Sequence, residues 1–353
     1  MKFRIHILFL SLSFALFASA CAGLPPASWP GLTTDGETIF LAFGPHVRAI
    51  DAANGVEVWK FPQEADNKLS FFASPALSDG QLIVGGYNNV LYSLNPVTGQ
   101  PNAWTFDDSR NRYIGNPLAT DQVILAPSAD RNLYALDLDG VQIWKFLTQE
   151  AQWGQPATDG ETVYLTSLDH HLYAIDLQTG QELWKADLGG AVAGTPLFVD
   201  GVVYVGSFAN RLTALVAQTG KVRWTFPTSD WVWTGPAIDG ETLYFGDIGG
   251  TLYAVDVQSG EERWKFPAEG GIFSSPLVAD GKIYFTTDAG SVYALDANGE
   301  KLWSQKIVGK MYTSPILVKN LVVVALMESD KILIAYDENG IERWSYPPVK
   351  PAE

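Results

Sequence analysis

Eight tryptophans punctuate the chain at a near-constant interval. Trp59, Trp104, Trp144, Trp184, Trp224, Trp264, Trp303 and Trp344 lie 45, 40, 40, 40, 40, 39 and 41 residues apart. A second marker keeps the same period: Pro30, Pro75, Pro117, Pro156, Pro196, Pro236, Pro276 and Pro315 open the successive units. A unit of this length carries about four short apolar runs and cannot bury both of its faces alone. Stacking the units around a ring does so, and the period is that of a β-propeller. The sequence therefore predicts an all-β, eight-bladed β-propeller with four-stranded antiparallel blades.

One unit shows the pattern. Ser274–Ala279 is a first apolar run, Asp280-Gly281 a tight turn and Lys282–Thr286 a second strand. Asp288-Ala-Gly290 turns the chain again, Val292–Asp296 alternates as a third strand, and Asn298-Gly299 leads into a fourth that reaches Trp303. Asp-Gly dipeptides also stand at 35–36, 79–80, 159–160, 200–201 and 239–240 and are replaced by Asp121-Gln122 and Lys319-Asn320. Such turns favour residues that tolerate positive φ. The predicted blades cover 28–60, 72–105, 115–146, 154–186, 194–226, 234–266, 274–305 and 313–346. The first begins on its inner strand and the last ends on its outer one, so ring closure is expected through packed faces instead of a shared sheet.

The closing run reads Ala-x-Asp-x-x-(Thr/Ser/Asn)-Gly-x-x-x-Trp, as in Ala49–Trp59, Ala174–Trp184 and Ala254–Trp264. Ala214–Trp224 keeps the length but has Val216 in place of the Asp. Gly turns the chain between third and fourth strands, and the flat indole is placed to lie on the neighbouring blade. The eight tryptophans are accordingly read as structural docking residues. This run resembles the tryptophan-docking motif of pyrroloquinoline-quinone (PQQ)-like repeat propellers, and the resemblance covers about residues 28–348. That family includes quinoprotein dehydrogenases and non-catalytic, BamB-like envelope lipoproteins. The repeat does not choose between them, because fold does not fix function.

The flanks and the charge narrow the choice. Residues 1–20 read as a signal peptide, with Lys2 and Arg4 ahead of an apolar run at 7–17. Ala18-Ser19-Ala20 precedes Cys21, the single cysteine, in a pattern that resembles a lipobox and marks Cys21 for lipidation. Residues 21–27 are then a lipidated N-terminus and tether, 28–348 a single propeller and 349–353 a tail. The seven-residue tether spans at most about 25 Å, which would hold the ring close to a membrane. The expected location is the cell envelope, lipid-anchored at the outer membrane or cell surface, with plain secretion as the alternative. A net charge of −16 disfavours nucleic acid as a partner. A lone cysteine excludes an intrachain disulfide, a thiolate cluster and a CxxCH haem site.

Candidate site residues fall on one rim, where loops from second to third strand meet loops between blades. Three residues before an opening proline stand Phe72, Trp153, Trp233, Phe273 and Tyr312, with Ile114 beside Tyr113 in blade three, Ala193 in blade five and Trp231 near Trp233. These are read as packing at the channel mouth or as a platform for a flat, apolar or sugar-like ligand or for a peptide strand. The second-to-third-strand loops carry Asp130, Asp169, Asp247, Asp288 and Asp330, with His170-His171, and are read as turn chemistry in preference to a metal site. Arg110, Arg112, Arg131 and Arg211 share this rim and are candidates for an anionic group or partner.

No nucleophile elbow, HExxH or phosphate loop is present. The leading expectation is a monomeric, non-catalytic envelope propeller that binds a partner protein or small ligand, with no cofactor. A PQQ- and Ca²⁺-dependent dehydrogenase is the alternative that the resemblance implies. Such enzymes are generally longer, and many carry a disulfide of adjacent cysteines that this chain cannot form. A sugar-binding propeller is a third reading, resting on the ring of aromatics.

Overall fold

Eight separate four-stranded sheets follow one another along the chain, and in each the strands pair in sequence order. The structure is a computed structural model, and it describes residues 29–347. The signal segment, Cys21, the tether and the tail beyond 348 lie outside the described residues. The blades span 31–61, 76–106, 118–147, 157–187, 197–227, 237–267, 277–306 and 316–346. In the sixth, Ala237–Asp239, Thr242–Gly246, Thr251–Asp256 and Glu262–Pro267 form an antiparallel meander. Among the described residues no strand is shared between the first and last blades.

The turns obey local chemistry. Asp79-Gly80, Asp200-Gly201 and Asp280-Gly281 take positive φ at both positions, as a two-residue hairpin requires. Lys319-Asn320, lacking glycine, nevertheless adopts φ of 48° and 59°. At Asp121-Gln122 the turn is built differently: the Thr120 hydroxyl accepts the N–H groups of Gln122 and Val123 at 3.2 and 3.0 Å.

Apolar residues form eight clusters among the described residues, and every cluster draws on two neighbouring blades. The core is thus a set of eight interfaces. Each carries a docking tryptophan, whose Nε1–H donates to a backbone carbonyl of the next blade. Trp144 bonds Leu177 at 2.8 Å, Trp184 bonds Ala217 at 2.9 Å and Trp264 bonds Ala297 at 2.9 Å. The indole lies flat on the turn glycine of that blade: a Cβ at Gly260 would come within 2.6 Å of Trp224, and one at Gly220 within 2.5 Å of Trp184. The motif glycine therefore has two duties, a positive φ and a bare surface for the preceding indole. A register shift beside each Ala–Trp pair, as at Ala174/Ile175 opposite Trp184, places a bulge where the ring must be aimed out of its own sheet.

Closure uses the same contact. Trp344 donates to the Ala52 carbonyl at 3.0 Å and covers Gly55. Leu32, Ile39, Leu41 and Ile50 of blade one pack against Val323, Ala325 and Leu333 of blade eight. Tyr346 also bonds Glu57, and Thr313 bonds the Pro30 carbonyl. Removing the buried indole by Trp344→Ala should cost about 3–5 kcal/mol in a urea melt. Trp344→Phe keeps a ring but loses the bond to Ala52, and should cost less, the bond itself contributing about 1 kcal/mol. A Trp344→Ala protein as stable as the wild type would show that the closing interface does not hold the ring.

Candidate functional site

The inner strands converge on a central cavity of about 620 Å³ lined by residues of all eight blades. Two tiers line it, their members two residues apart in each blade's inner segment. The outer tier comprises Trp29, Phe72, Ile114, Trp153, Ala193, Trp233, Phe273 and Tyr312, one from each blade. The inner tier is polar and uncharged: Ser74, Asn116, Gln155, Thr195, Ser275 and Ser314, with glycine at 31 and 235. Among the described residues no Asp, Glu, Lys, Arg or His lines the cavity.

The five aromatics predicted from the proline rule all stand in the outer tier, and the structure adds Trp29. Pro30 hides it, because this proline lies two residues earlier relative to its turn than Pro156 does. Counting back six residues from Asp35-Gly36-Glu37-Thr38 gives Trp29, as counting back from Asp159-Gly160-Glu161-Thr162 gives Trp153. In blade one the turn locates the lining residue, while the proline rule holds in the other seven blades. Tyr113 stands elsewhere: it is buried beneath the rim against Gly85, and Ile114 occupies the tier.

The rings touch in series. Trp29 meets Phe72 at a centroid distance of 3.8 Å and Tyr312 at 6.0 Å; Tyr312 meets Phe273 at 5.3 Å, and Phe273 meets Trp233 at 5.6 Å. Trp233 reaches Trp153 at 6.0 Å across the gap left by Ala193. Two branches run outward. Phe208 stacks on Trp233 at 5.1 Å and on Trp231 at 4.6 Å, and Trp231 is 42% exposed. Tyr87 stacks on Phe72 at 5.6 Å, and the Arg112 guanidinium lies 5.0 Å over Tyr87. Phe208 and Tyr87 hold the same repeat position in blades five and two, and the other blades carry Ala129, Leu168, Ile248, Asp288 and Met327 there, so sequence periodicity does not mark the position as aromatic.

The polar tier ties neighbouring blades together. Leu32 N–H donates to the Ser74 hydroxyl, Ser74 N–H to Asn116 Oδ1, Gln155 N–H to the Thr195 hydroxyl and Ser275 N–H to the Ser314 hydroxyl, at 2.7–3.2 Å. These side chains accept from backbone, so their own donors stay available.

The rim aspartates serve the loops. Asp169 accepts the Tyr173 hydroxyl at 2.8 Å, Gln149 N–H at 2.8 Å and His171 N–H at 3.2 Å. Asp130 does the same with Tyr134, Arg110 N–H and Asn132 N–H, and Asp247 with Tyr253, Asp230 N–H and Thr251 N–H. Each binds the hairpin tip to the loop arriving from the preceding blade. Burial alone would raise the Asp169 carboxyl, but the donated hydrogen bonds outweigh it and hold the pKa below the ordinary value. Among the described residues no three His, Cys, Asp or Glu stand together as metal ligands.

The arginines divide. Arg211 turns inward and donates to the Leu188 carbonyl at 2.7 Å. Arg110, Arg112 and Arg131 are exposed on adjoining loops of blades two and three, joined where Ala129 N–H bonds the Arg112 carbonyl and Arg110 N–H bonds Asp130. None makes a salt bridge among the described residues. Arg131 Nη1 reaches only the Gln149 carbonyl, at 3.4 Å.

Together these features define an eight-bladed propeller with docking tryptophans and an aromatic channel mouth. The sequence model of the family described as "Outer membrane protein assembly factor BamB" matches residues 44–152, 140–231 and 225–352. The chain belongs to that family of PQQ-like propellers. Its fold matches the crystal structure of BamB from Moraxella catarrhalis with a TM-score of 0.69, at 18% identity, over 88% of this chain and 92% of that one. It also matches the computationally designed protein Ika8 with a TM-score of 0.75, at 14% identity, over 87% and 95%. At such identities the likeness is one of fold. A curated relative, the tetrathionate hydrolase of Acidithiobacillus ferrooxidans, is 28% identical over 41% of this chain. The chain spans about a third, 36%, of that relative's length.

The rim locks are testable. Asp169→Asn removes the ionised acceptor and should lower stability at neutral pH by about 1–3 kcal/mol. A depressed folded-state pKa contributes stability above the unfolded carboxyl's pKa and loses it as pH falls through the folded value. The gap between variant and wild type should therefore close in acid, as followed by melts between pH 7 and pH 2. A gap independent of pH would contradict this account.

Proposed function

We propose that this chain is a non-catalytic scaffold of the cell envelope, BamB-like, held to a membrane by lipid on Cys21 and offering its rim to a partner protein. The observation that carries the reading is the trio Arg110, Arg112 and Arg131, three exposed cations without an ion pair on one arc of a chain whose net charge is −16. Such an arc favours and orients an acidic partner segment. Family membership supports the scaffold role and an envelope location, and the lipobox-like Ala18–Cys21 supports the anchor.

The channel does not suit the family's eponymous cofactor. PQQ is a tricarboxylate that acts with Ca²⁺, and a lining that among the described residues holds no arginine, lysine or carboxylate has nothing to pair with either. The partial match to tetrathionate hydrolase favours a second, enzymatic reading. Incubating the purified chain with tetrathionate separates the two, since a scaffold leaves it unconsumed.

Two outcomes test the proposal. A photo-crosslinking residue at Arg112 should give a discrete adduct in intact cells that the same residue at Asn298, on the opposite rim, does not. Charge reversal at Arg110 and Arg131 should reduce the yield at least tenfold. Equal crosslinking from both rims would overturn the rim reading. Cys21→Ser should move the protein from the detergent phase to the aqueous phase in Triton X-114 partition; unchanged partition would remove lipidation.

A further inference from the structure

We propose that the channel mouth is a binding site for a neutral oligosaccharide. This goes beyond the scaffold reading and uses different residues from the arginine arc.

Three features point to the ligand class. Flat aromatic surface comes first. Trp153, Trp233, Phe273, Tyr312, Trp29 and Phe72 form a nearly continuous girdle, and all line the cavity. The C–H face of a pyranose ring packs on such surfaces, while its hydroxyls point outward from the ring edge. All four tryptophans that do not dock blades, Trp29, Trp153, Trp231 and Trp233, gather at this mouth.

The second feature is the polar tier beneath. Among the described residues Asn116 Nδ2 and the Ser275 hydroxyl have no protein partner, and the hydroxyls of Ser74, Thr195 and Ser314 accept a bond without donating one. Gln155 donates from Nε2 to the Pro117 carbonyl at 2.7 Å, which leaves its Oε1 as an acceptor. Neutral donors and acceptors in one collar match hydroxyls, which are both.

The third feature is charge. Although the chain is strongly acidic, among the described residues no carboxylate and no cation lines this cavity. An anionic ligand would meet no counter-charge there, and a cationic one would lack a carboxylate. An apolar side chain from a peptide would leave the collar's donors unpaired on losing water. The volume of about 620 Å³ lies within the range of small-molecule sites. The stacked branch Trp233–Phe208–Trp231 continues the aromatic surface outward. A chain longer than the cavity has that surface to lie on.

The test titrates the purified mature chain with cellohexaose, maltohexaose, xylohexaose and chitohexaose, read by calorimetry and by tryptophan fluorescence. At least one should bind and change the emission, and Trp153→Ala should weaken it at least tenfold. Because a lost girdle ring can disturb packing, Ser275→Ala is the second variant. Its hydroxyl has no protein partner, so the melt should be unchanged while affinity falls at least threefold. Arg131→Glu should leave sugar binding intact, since the Arg131 side chain reaches only the Gln149 carbonyl. Absence of heat and of a fluorescence change with all four sugars would overturn the proposal. So would binding indifferent to both Trp153→Ala and Ser275→Ala, or preference for PQQ or an apolar hexapeptide over every sugar.

Discussion

An indole lying on a bare glycine, with its N–H bonded to the carbonyl of the next blade, is the contact on which the molecule depends. The eight sheets are separate hydrogen-bonded ladders, so backbone pairing inside a blade does nothing to hold it to its neighbour. The apolar clusters that join blades are non-directional. The tryptophan–glycine contact adds the direction: one donor, one acceptor and one flat face fix how far each sheet turns from the last. Eight repetitions bring Trp344 back to Ala52 and Gly55 and close the ring without sharing a strand.

Ring geometry then casts the site. Because each inner strand begins near the axis, the residue three places before the proline falls at the channel mouth in seven blades, and Trp29 takes that place in the first. Evolution of one position per repeat can therefore change the whole lining. Here six of the eight positions are aromatic, with Ile114 and Ala193 as the exceptions. Their polar neighbours couple adjacent blades through backbone N–H groups and still face the cavity with spare donors. The rim is stiffened by a separate device, in which Asp130, Asp169 and Asp247 each clamp a hairpin tip to an arriving loop. A rigid rim suits both a partner surface on the arginine arc and a preformed pocket within it.

The architecture was readable from spacing alone, because Trp and Pro mark each repeat and the strands between them are strongly apolar. The partner of the docking indole was less so. The motif glycine reads as a turn residue, and only packing shows that it is also a floor for a ring from the previous blade. Trp29 was hidden by Pro30, which stands out of phase with the other opening prolines. Tyr113 was placed at the mouth because it neighbours Ile114, yet adjacent residues point opposite ways, and the phenol is buried against Gly85. Phe208 and Tyr87 occupy one repeat position, after the second strand, that is filled by Ala129, Leu168, Ile248, Asp288 and Met327 in other blades, so periodicity gave only a weak signal. Arg211, one of four arginines predicted on the rim, turns to the Leu188 carbonyl, whereas the other three stay exposed.

The central claim is that the docking contacts unite eight sheets into one cooperative ring around the channel. Hydrogen exchange of the twelve indole N–H groups, assigned by single Trp→Phe variants, tests it most directly. The account predicts two classes. The eight docking indoles should exchange slowly and together, at the rate of global unfolding, and Trp29, Trp153, Trp231 and Trp233 should exchange quickly. Docking indoles that exchange as fast as Trp231, or at eight unrelated rates, would contradict it, because the blades would then be opening one at a time.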